Sequence, residues 1–456
     1  MDFNPYVFRE YDVRGKVAED FPPEFARDLG RAFGTFVKRR GAKEISLSGD
    51  VRLTTPGLKE NFGAGVMETG IDVIDIGILP TPVNYYSMWK LDVAGAVQIT
   101  GSHNPPEMNG FKMSFQKGAV YGKQIQELRR TMEGEDFESG SGTEVVYDIL
   151  DDYLQMVLGK IRLERELRIA MDCGNAAACL VAPRLIRELG VDLTELYCDV
   201  DGNFPNHHPD PTVRENLEDL VMTVRGSPHD AGIAYDGDAD RIGVIDDAGE
   251  VVWADKIMAL FLPEIVKPGD EILFDVKCSQ ALEEEILRHG GKPVMWKTGH
   301  SLIKQKMKEL KCKFGGEMSG HLFFSDDYFG YDDAIYVSAR FIQMVSRQKK
   351  KVSELVAELP RYSSTPEMRL ECASDEEKFR IAATAETYFK TNYECLDIDG
   401  VRIRFEDGWG LVRASNTQPV IVCRFEARTQ GRMEEIRTLV LTELQKMGEI
   451  TIPGGI

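Results

Sequence analysis

The residues Glu44-Ile-Ser-Leu-Ser-Gly-Asp50 indicate the fold class, because an apolar run ends there in a polar turn that leads into a helical stretch. The same layout returns at Arg168-Ile-Ala-Met-Asp172 and at Glu271-Ile-Leu-Phe-Asp275. Strand, turn, helix, glycine and second strand make a βαβ unit, which favours a parallel sheet covered by helices. We interpret the recurrence as internal duplication, with chance repetition of a common layout as the alternative. The glycines that close the three helical stretches are Gly70, Gly190 and Gly290.

The last quarter of the chain has a different pattern. From residue 367 it predicts a strand, a helix over about 375–390, three strands within 396–428 and a final helix over 433–447, which is typical of a smaller α+β domain with an antiparallel sheet. We expect three related α/β domains with mixed, largely parallel sheets and this C-terminal α+β domain, arranged around a central cleft. Polar stretches near residues 133–143, 246–249 and 360–366 predict the domain ranges 1–150, 151–251, 252–364 and 365–456.

Composition narrows the class of protein. The 456 residues are 43% hydrophobic and carry a formal charge of −20, which disfavours binding to nucleic acid or to anionic membranes. No apolar run has the length of a membrane helix, and the first residues lack the pattern of a signal peptide. Eight scattered cysteines without a C-x-x-C pair predict reduced thiols. These features favour a cytoplasmic enzyme.

Each predicted unit is followed by an apolar strand that ends in an unusual polar loop. The first is Thr100-Gly-Ser-His-Asn-Pro-Pro-Glu-Met-Asn-Gly-Phe-Lys112, delivered by an apolar strand over residues 93–99. It presents the Ser102 hydroxyl with His103 and Lys112 nearby, as a nucleophile or a phosphoryl carrier would be presented. Ligands of open α/β sheets gather at the carboxyl ends of strands, so we expect the three loops to share one site.

The second loop, Asp236-Gly-Asp-Ala-Asp240, predicts a metal site. Alternating carboxylates can all point to one hard cation, and ligation by oxygen alone suits Mg²⁺. A calcium EF-hand also begins D-x-D-x-D, but it needs Gly at its sixth position and Glu at its twelfth, where this chain has Arg241 and Asp247. A solvated acidic turn is the remaining alternative. Arg241 beside the metal would stabilise the charge of a transferring phosphoryl group.

The third loop and the C-terminal domain suggest a sugar phosphate as ligand. Gly316-Glu-Met-Ser-Gly-His321 combines an acidic acceptor, a hydroxyl and an imidazole between glycines, a set that suits a polyol. Arg413-Ala-Ser-Asn-Thr417 follows a strand and offers donors for a phosphate dianion, and Arg424 on the next strand is a further candidate. Other polar residues at turns are candidates as well: Tyr11, Arg14, Lys277 and His300.

Together these motifs resemble the α-D-phosphohexomutase superfamily, most closely its bacterial phosphomannomutase/phosphoglucomutase branch. The resemblance runs from Tyr11-Asp-Val-Arg14-Gly through T-G-S-H-N-P-P, D-G-D-A-D-R and G-E-M-S-G-H to R-A-S-N-T. It implies a phosphorylated Ser102 that shares Mg²⁺ with the three aspartates, and proton handling by Lys112 and His321. It also implies that Glu317 and Ser319 hold sugar hydroxyls and that the distal phosphate is bound by Arg413, Ser415, Asn416 and Thr417. Arg14, Arg241, Lys277 and His300 fall where relatives contact substrate or phosphoserine.

The implied reaction is reversible transfer of a phosphoryl group between the 1- and 6-positions of a hexose phosphate, with hexose 1,6-bisphosphate as intermediate and activator. Met318 favours mannose or glucose over glucosamine, whose mutases usually carry Gln there; a phosphoglucosamine mutase is the alternative within the family. A metal-dependent phosphatase and a catalytically silent binding protein are rivals of other classes. A serine hydrolase is disfavoured, because no G-x-S-x-G elbow surrounds Ser102 and because adjacent residues at a strand end should point apart. The resemblance favours a monomer over a dimer.

Overall fold

The structure is a computed structural model that describes residues 3–415 and 420–452. It forms two compact units, one of Met1–Ile257 with Ser319–Val356 and the other of Met258–Met318 with Ala357–Ile456. Within the described ranges, none of the helices combines the length and the apolarity that a bilayer span requires. All eight cysteines lie in these ranges and are free thiols, as predicted.

The first sheet is built around the strand of Glu44, whose buried run is followed by a polar turn and a helix. Parallel strands form its centre and one side, while the strand that follows the Ser102 loop runs antiparallel. Its strand order is β1-β5-β4-β2-β3-β7, with β6 paired to β5. The elements are a 3-10 helix Pro5–Val7, β1 (Val13–Lys16), α1 (Val17–Asp20), α2 (Phe25–Lys38), β2 (Glu44–Gly49), α3 (Thr55–Glu68), β3 (Asp72–Ile78), α4 (Thr81–Lys90), β4 (Gly95–Ile99), β5 (Met108–Phe115), β6 (Gly118–Ala119), α5 (Lys123–Glu133) and β7 (Glu144–Val146).

The second sheet repeats the pattern. Strands β9, β8 and β10 are parallel, and β10 turns back through the Asp236 loop into antiparallel β11 and β12. The elements are α6 (Leu150–Leu158), β8 (Arg168–Asp172), a 3-10 helix Ala177–Leu180, α7 (Ala182–Glu188), β9 (Asp192–Leu196), a 3-10 helix Arg214–Leu217, α8 (Glu218–Gly226), β10 (Ala231–Tyr235), β11 (Ile242–Asp246), β12 (Val251–Val252) and α9 (Ala254–Ile265).

The third repeat contains the parallel strands β14, β13 and β15, in that order. Its elements are β13 (Glu271–Asp275), α10 (Gln280–Arg288), β14 (Lys292–Trp296), α11 (His300–Leu310) and β15 (Phe314–Gly316). The chain continues through β16 (Leu322–Phe324), α12 (Ala334–Arg347) and α13 (Val352–Ala357). The predicted α/β class of the three repeats is therefore confirmed.

The C-terminal segment is an antiparallel sheet packed against two helices, as predicted. Four strands occupy the region where the sequence predicts three, because a two-residue strand pairs with the next one. The final helix begins before residue 433, since the Thr429 hydroxyl accepts the Arg432 N–H and caps it. The elements are β17 (Ser363–Ser364), β18 (Met368–Cys372), α14 (Asp375–Asn392), β19 (Cys395–Leu396), β20 (Val401–Phe405), β21 (Gly408–Ala414), β22 (Val420–Ala427), α15 (Gln430–Gln445) and β23 (Ile450–Thr451).

Two glycines let the first pair of long helices pack main chain against main chain. A Cβ at Gly30 of α2 would collide with the Phe62 carbonyl of α3, and a Cβ at Gly65 of α3 would collide with the Arg27 carbonyl of α2. Both obstacles are backbone atoms, which cannot rotate away. This close crossing covers the core under β2, where Phe33, Phe62 and Phe111 are fully buried.

Gly65→Ala is therefore expected to lower the free energy of unfolding by about 1–3 kcal/mol through overpacking. The matched control is Gly57→Ala in the same helix, where a Cβ would meet nothing within 4 Å. Alanine is the better helix former by roughly 0.5–1 kcal/mol, so this control should be neutral or stabilising. Urea unfolding of both variants measures the difference, and equal midpoints would contradict the close crossing.

Candidate active site

Ser102 lies in a strained turn between β4 and β5. Its φ of 49° is in the left-handed region, which is uncommon for a residue other than glycine. Its N–H donates to the Thr100 hydroxyl at 2.8 Å, and the residue is only 2% exposed. This backbone conformation determines the direction in which the Ser102 side chain leaves the turn.

A buried ion pair that the sequence analysis missed holds this turn. The Arg52 guanidinium is fully buried and lies 3.1 Å from the Asp50 carboxylate at the end of β2. It also donates to carbonyl oxygens of the serine loop, at 2.7 Å to Ser102 and 2.6 Å to Pro105. A Cβ at Gly101 would approach the guanidinium carbon to 2.5 Å, so glycine is required beside it.

The contact between Ser102 and His103 corrects one argument from the sequence. Adjacent residues at a strand end were expected to point apart, but Ser102 Oγ lies 3.2 Å from His103 Nδ1. The expectation was wrong because the positive φ of Ser102 breaks the alternation of a strand. Burial lowers the pKa of His103 well below its usual range, and the guanidinium groups of Arg241 and Arg14 lower it further. The imidazole is therefore neutral beside the hydroxyl at neutral pH.

The three aspartates of the loop between β10 and β11 are buried and converge. One carboxylate oxygen from each of Asp236, Asp238 and Asp240 lies within 4.8 Å of the others. Asp236 accepts a 2.8 Å hydrogen bond from the Ser102 hydroxyl, which joins this loop to the serine turn. Burial and the carboxylates of Asp240 and Asp238 raise the pKa of Asp236 well above its usual range.

Lys112 offsets part of this negative charge. Its Nζ lies 2.7 Å from Asp238 Oδ2 and 2.5 Å from Asp240 Oδ2, and the Thr81 hydroxyl donates to Asp238 at 2.5 Å. Burial acts to lower the pKa of Lys112, but the carboxylates of Asp238 and Asp240 outweigh it and raise that pKa. The ammonium is thus protonated at neutral pH.

The loop fits a divalent cation. The three carboxylates lie close enough together to raise the pKa of Asp236, so further positive charge would stabilise the loop. The second oxygen of Asp238, Oδ1, is buried and has no hydrogen-bond partner among the described residues. An unpaired buried carboxylate oxygen is costly, and a hard cation is a partner that oxygen ligands suit.

His321 connects the third predicted loop to the aspartates. Its Nε2 lies 3.1 Å from Asp240 Oδ1 and 3.3 Å from Arg241 Nε, while its Nδ1 lies 3.2 Å from the Ser319 hydroxyl. Gly320 between them has a φ of 99°, and a Cβ there would crowd the backbone of Ile242 in β11. The loop is therefore fixed against the strand that follows the Asp236 loop.

The Arg14 side chain, on β1, is largely buried. Its guanidinium lies 2.6 Å from Asp12, and its Nε is buried without a hydrogen-bond partner among the described residues. β1 pairs with β5, the strand that carries Lys112, and Arg14 is opposite Gly110. Tyr11, three residues before Arg14, is partly exposed.

In the second unit, Lys277 follows β13 and is nearly buried. Its Nζ lies 3.0 Å from Glu367 and 4.0 Å from Asp275. Burial acts to lower the pKa of Lys277, but Glu367 and Asp275 raise it above its usual value. Lys277 in turn lowers the pKa of Glu367 to about 2.

Glu317 and His300 belong to this unit as well. The buried Glu317 carboxylate accepts the Gly299 N–H at 2.5 Å, and Gly299 takes a φ of 132° just before α11 begins at His300. His300 is partly exposed at the start of that helix. The bond from Gly299 therefore couples the position of Glu317 to the start of α11.

The structure describes two of the four residues predicted to bind the distal phosphate, Arg413 and Ser415. Arg413 donates from Nε to Asp399 at 2.9 Å, and the Ser415 carbonyl accepts from the buried Lys378 at 2.8 Å. Asn416 and Thr417 lie outside the described residues. Arg424 is 4% exposed and donates to the Lys277 carbonyl.

Strand-end aspartates recur in the three repeats and were not recognised as functional. Asp50, Asp172 and Asp275 each end or follow the first strand of a repeat, and each is at most 1% exposed. Asp172 lies 2.9 Å from His207 Nε2, and Asp275 accepts the Met318 N–H at 3.2 Å. The recurrence was readable, since the same residue closes all three quoted strands. Its role was not, because the partners of Asp172 and Asp275 are distant in sequence.

Models of one family match successive parts of this chain. All four describe phosphoglucomutase/phosphomannomutase: alpha/beta/alpha domain I matches residues 6–139, domain II residues 151–249, domain III residues 253–362 and the C-terminal domain residues 349–443. The chain belongs to the phosphoglucomutase/phosphomannomutase family.

Relatives of this family resemble the chain over nearly its whole length. A Pseudomonas aeruginosa phosphomannomutase/phosphoglucomutase is 42% identical over 441 residues, which is 96% of this chain and 95% of that protein. A Neisseria gonorrhoeae phosphoglucomutase is 40% identical, covering 94% and 95%. A crystal structure of a Burkholderia thailandensis phosphoglucomutase/phosphomannomutase family protein has a TM-score of 0.92 and 38% identity, covering 98% of this chain and 100% of that one.

Arg52→Met tests whether the buried ion pair holds the serine turn. The substitution leaves the Asp50 carboxylate and several carbonyls without their donor, so the free energy of unfolding should fall by about 3–5 kcal/mol. Arg39→Met is the matched control, because Arg39 pairs with Asp136 and Glu138 at the surface. It should change stability little. Denaturant unfolding compares the two, and equal small effects would contradict the proposed support.

Proposed function

We propose that this chain is a phosphohexomutase that moves a phosphoryl group between the 1- and 6-positions of a hexose phosphate, with Ser102 as the carrier. The observation that supports this most strongly is the hydrogen bond from the Ser102 hydroxyl to Asp236 of the converging aspartate loop. A strained, directed hydroxyl beside a cation-accepting loop suits a group that accepts and returns a phosphoryl group. The family membership supports the same reaction.

Mg²⁺ is the cation we propose for the loop, held by Asp236, Asp238 and Asp240 together with an oxygen of phosphorylated Ser102. When bound, it would stabilise the negative charge that develops on the transferring phosphoryl group. Among the described residues, the unpartnered Oδ1 of Asp238 supports this choice.

Side chains around Ser102 are proposed to manage charge and protons. Arg241 stabilises phosphoryl oxygens, since it lies next to the aspartate loop and to His321. We propose Lys112 for proton handling: its two carboxylate partners keep it protonated, and a cation bound by the same carboxylates would weaken that effect and bring its pKa back toward the range of a proton donor. The neutral His103 lies within hydrogen-bonding distance of Ser102 Oγ and orients it. His321, which contacts Ser319 and Asp240, is the second candidate for proton transfer.

The remaining predicted residues are proposed to bind the sugar and its second phosphate. Glu317 and Ser319 would accept and donate hydrogen bonds to hydroxyl groups. Arg413 and Ser415 would bind the phosphate that is not being transferred. We propose substrate or phosphate contacts also for Tyr11, Arg14, Lys277, His300, Asn416, Thr417 and Arg424.

The substrate is proposed to be mannose or glucose phosphate, with hexose 1,6-bisphosphate as intermediate and activator. Met318 supports this assignment against glucosamine phosphate. We also propose the four domains 1–150, 151–251, 252–364 and 365–456, a cytoplasmic location that suits free thiols and a phosphorylated sugar, and a monomer.

Ser102→Ala should lower mutase turnover by at least about 10³-fold, because it removes the hydroxyl that we propose as the phosphoryl carrier. The control is Ser114→Ala, a buried serine on β5, which should keep turnover. The assay couples glucose 6-phosphate formation to its oxidation, with glucose 1-phosphate and catalytic glucose 1,6-bisphosphate. Near-normal turnover of Ser102→Ala would overturn the carrier proposal.

Direct measurement of hexose 6-phosphate formation and of inorganic phosphate release distinguishes the substrates and the rival phosphatase. Mannose 1-phosphate and glucose 1-phosphate should turn over faster than glucosamine 1-phosphate. Inorganic phosphate should stay near background, because a mutase conserves the phosphoryl group. Release of phosphate equal to sugar consumed would establish a phosphatase instead.

Asp238→Asn should remove the stabilisation that Mg²⁺ gives. A ligand at about 100 times its dissociation constant stabilises a folded protein by about 2.7 kcal/mol, so wild-type protein should melt at a higher temperature with Mg²⁺ than with a chelator. Asp246→Asn is the control, a buried aspartate of β11 outside the loop, and it should keep the Mg²⁺ effect. Calorimetric melting measures both. An unchanged Mg²⁺ effect in Asp238→Asn would place the cation elsewhere.

A further inference from the structure

The turn that carries Lys277 is held by two arginines of the C-terminal sheet. Arg402 donates to the Val276 carbonyl at 2.7 Å and to the Cys278 carbonyl at 3.0 Å, while Arg424 donates to the carbonyl of Lys277 itself. Three consecutive carbonyl oxygens of one turn thus accept hydrogen bonds from two guanidinium groups. Such bonds from a charged donor are stronger than those between neutral groups.

The two arginines occupy matching positions in the sheet. Arg402 of β20 and Arg424 of β22 both lie opposite Leu411 of the strand between them, so all three share one row. Trp409, two residues along β21, lies on the same face, as alternation along a strand requires. Its ring centre is 3.8 Å from the Arg402 guanidinium carbon and 5.8 Å from that of Arg424. The indole therefore orients both cations.

Apolar contacts dock the turn on the same face. The Val276 side chain forms a buried cluster with Trp409 and Leu411. The Trp409 Nε1–H donates to Glu426 at 2.8 Å, which fixes the indole in its plane. Arg402 is 2% exposed, and burial lowers its pKa to about 10, so it is still charged at neutral pH.

The same face of β21 also carries the candidate phosphate ligand. Trp409, Leu411 and Arg413 are spaced by two residues on one strand. The first two hold the turn of Lys277, and the third is the proposed phosphate ligand. Asp399 connects Arg413 to the third repeat. Its carboxylate accepts one hydrogen bond from Arg413 Nε at 2.9 Å and another from the Thr298 N–H at 3.1 Å.

We infer that Arg402, braced by Trp409, is a positioning residue for substrate binding, which sets the place of Lys277 relative to Arg413. Arg402 itself donates to main-chain oxygens of the turn and acts through Lys277. The inference rests on the proposed function only in taking Lys277 as a contact of the hexose phosphate.

Arg402→Gln is expected to raise KM for glucose 1-phosphate about tenfold or more and to change kcat less than about threefold. The loss of one charge-assisted hydrogen bond corresponds to a change of about tenfold or more in a binding constant. Arg402→Lys keeps the charge but lacks the guanidinium fork, so its KM should lie between wild type and Arg402→Gln. The matched control is Arg404→Gln, an exposed arginine two residues further along β20, which should keep the wild-type KM.

A double-mutant cycle separates positioning from general loss of structure. In a Lys277→Ala background, Arg402→Gln should raise KM no further, because the residue it positions is gone. An equal rise in both backgrounds, or a wild-type KM in a folded Arg402→Gln variant, would overturn the inference. If Arg402→Gln unfolds, the same cycle is run with Arg402→Lys, whose unchanged KM would count against the inference equally.

Calorimetric binding of glucose 1-phosphate distinguishes this inference from the proposed function. If wild type binds glucose 1-phosphate but does not turn it over, the proposed mutase function is refuted. The positioning role of Arg402 is then tested by the same double-mutant cycle, with Kd measured in place of KM. If wild type turns over and Arg402→Gln changes KM equally in the wild-type and Lys277→Ala backgrounds, the positioning role alone is refuted. Absence of both binding and turnover in wild type would overturn both.

Discussion

The conformation of the Ser102 turn depends on one buried cation, the guanidinium group of Arg52. Its guanidinium is paired with Asp50 and bound to carbonyl oxygens of the serine loop, including that of Ser102. A left-handed φ costs a non-glycine residue about 1–2 kcal/mol, so Ser102 keeps that conformation only because its surroundings impose it. The contacts of its hydroxyl with His103 and Asp236 follow from this one constraint.

Electrostatics explains how three aspartates can be buried together in one loop. Three buried carboxylates would repel each other strongly, and burial with its neighbours already raises the pKa of Asp236. Lys112 bridges Asp238 and Asp240 and supplies a positive charge where a metal would supply more. Further positive charge would stabilise these carboxylates, which supports the proposed binding of a divalent cation.

Much of this could be predicted from the sequence, because it is carried by local patterns. The repeated strand–turn–helix layout predicts the three α/β repeats, and the D-G-D-A-D spacing predicts converging carboxylates. What could not be predicted depends on residues far apart in the chain. Arg52 lies about 50 positions before the carbonyls it binds, and Arg402 more than 120 positions after the turn that it holds. Arg424 illustrates the limit: it was a candidate phosphate ligand, and its bond to the Lys277 carbonyl depends on how two distant segments pack.

Peptide mapping by mass spectrometry shows whether Ser102 carries the phosphoryl group. Protein incubated with glucose 1,6-bisphosphate and Mg²⁺ should gain one phosphoryl group on the peptide that contains Ser102, and glucose 6-phosphate should remove it again. A phosphoryl group on another residue, or none under conditions where the mutase turns over, would contradict the account.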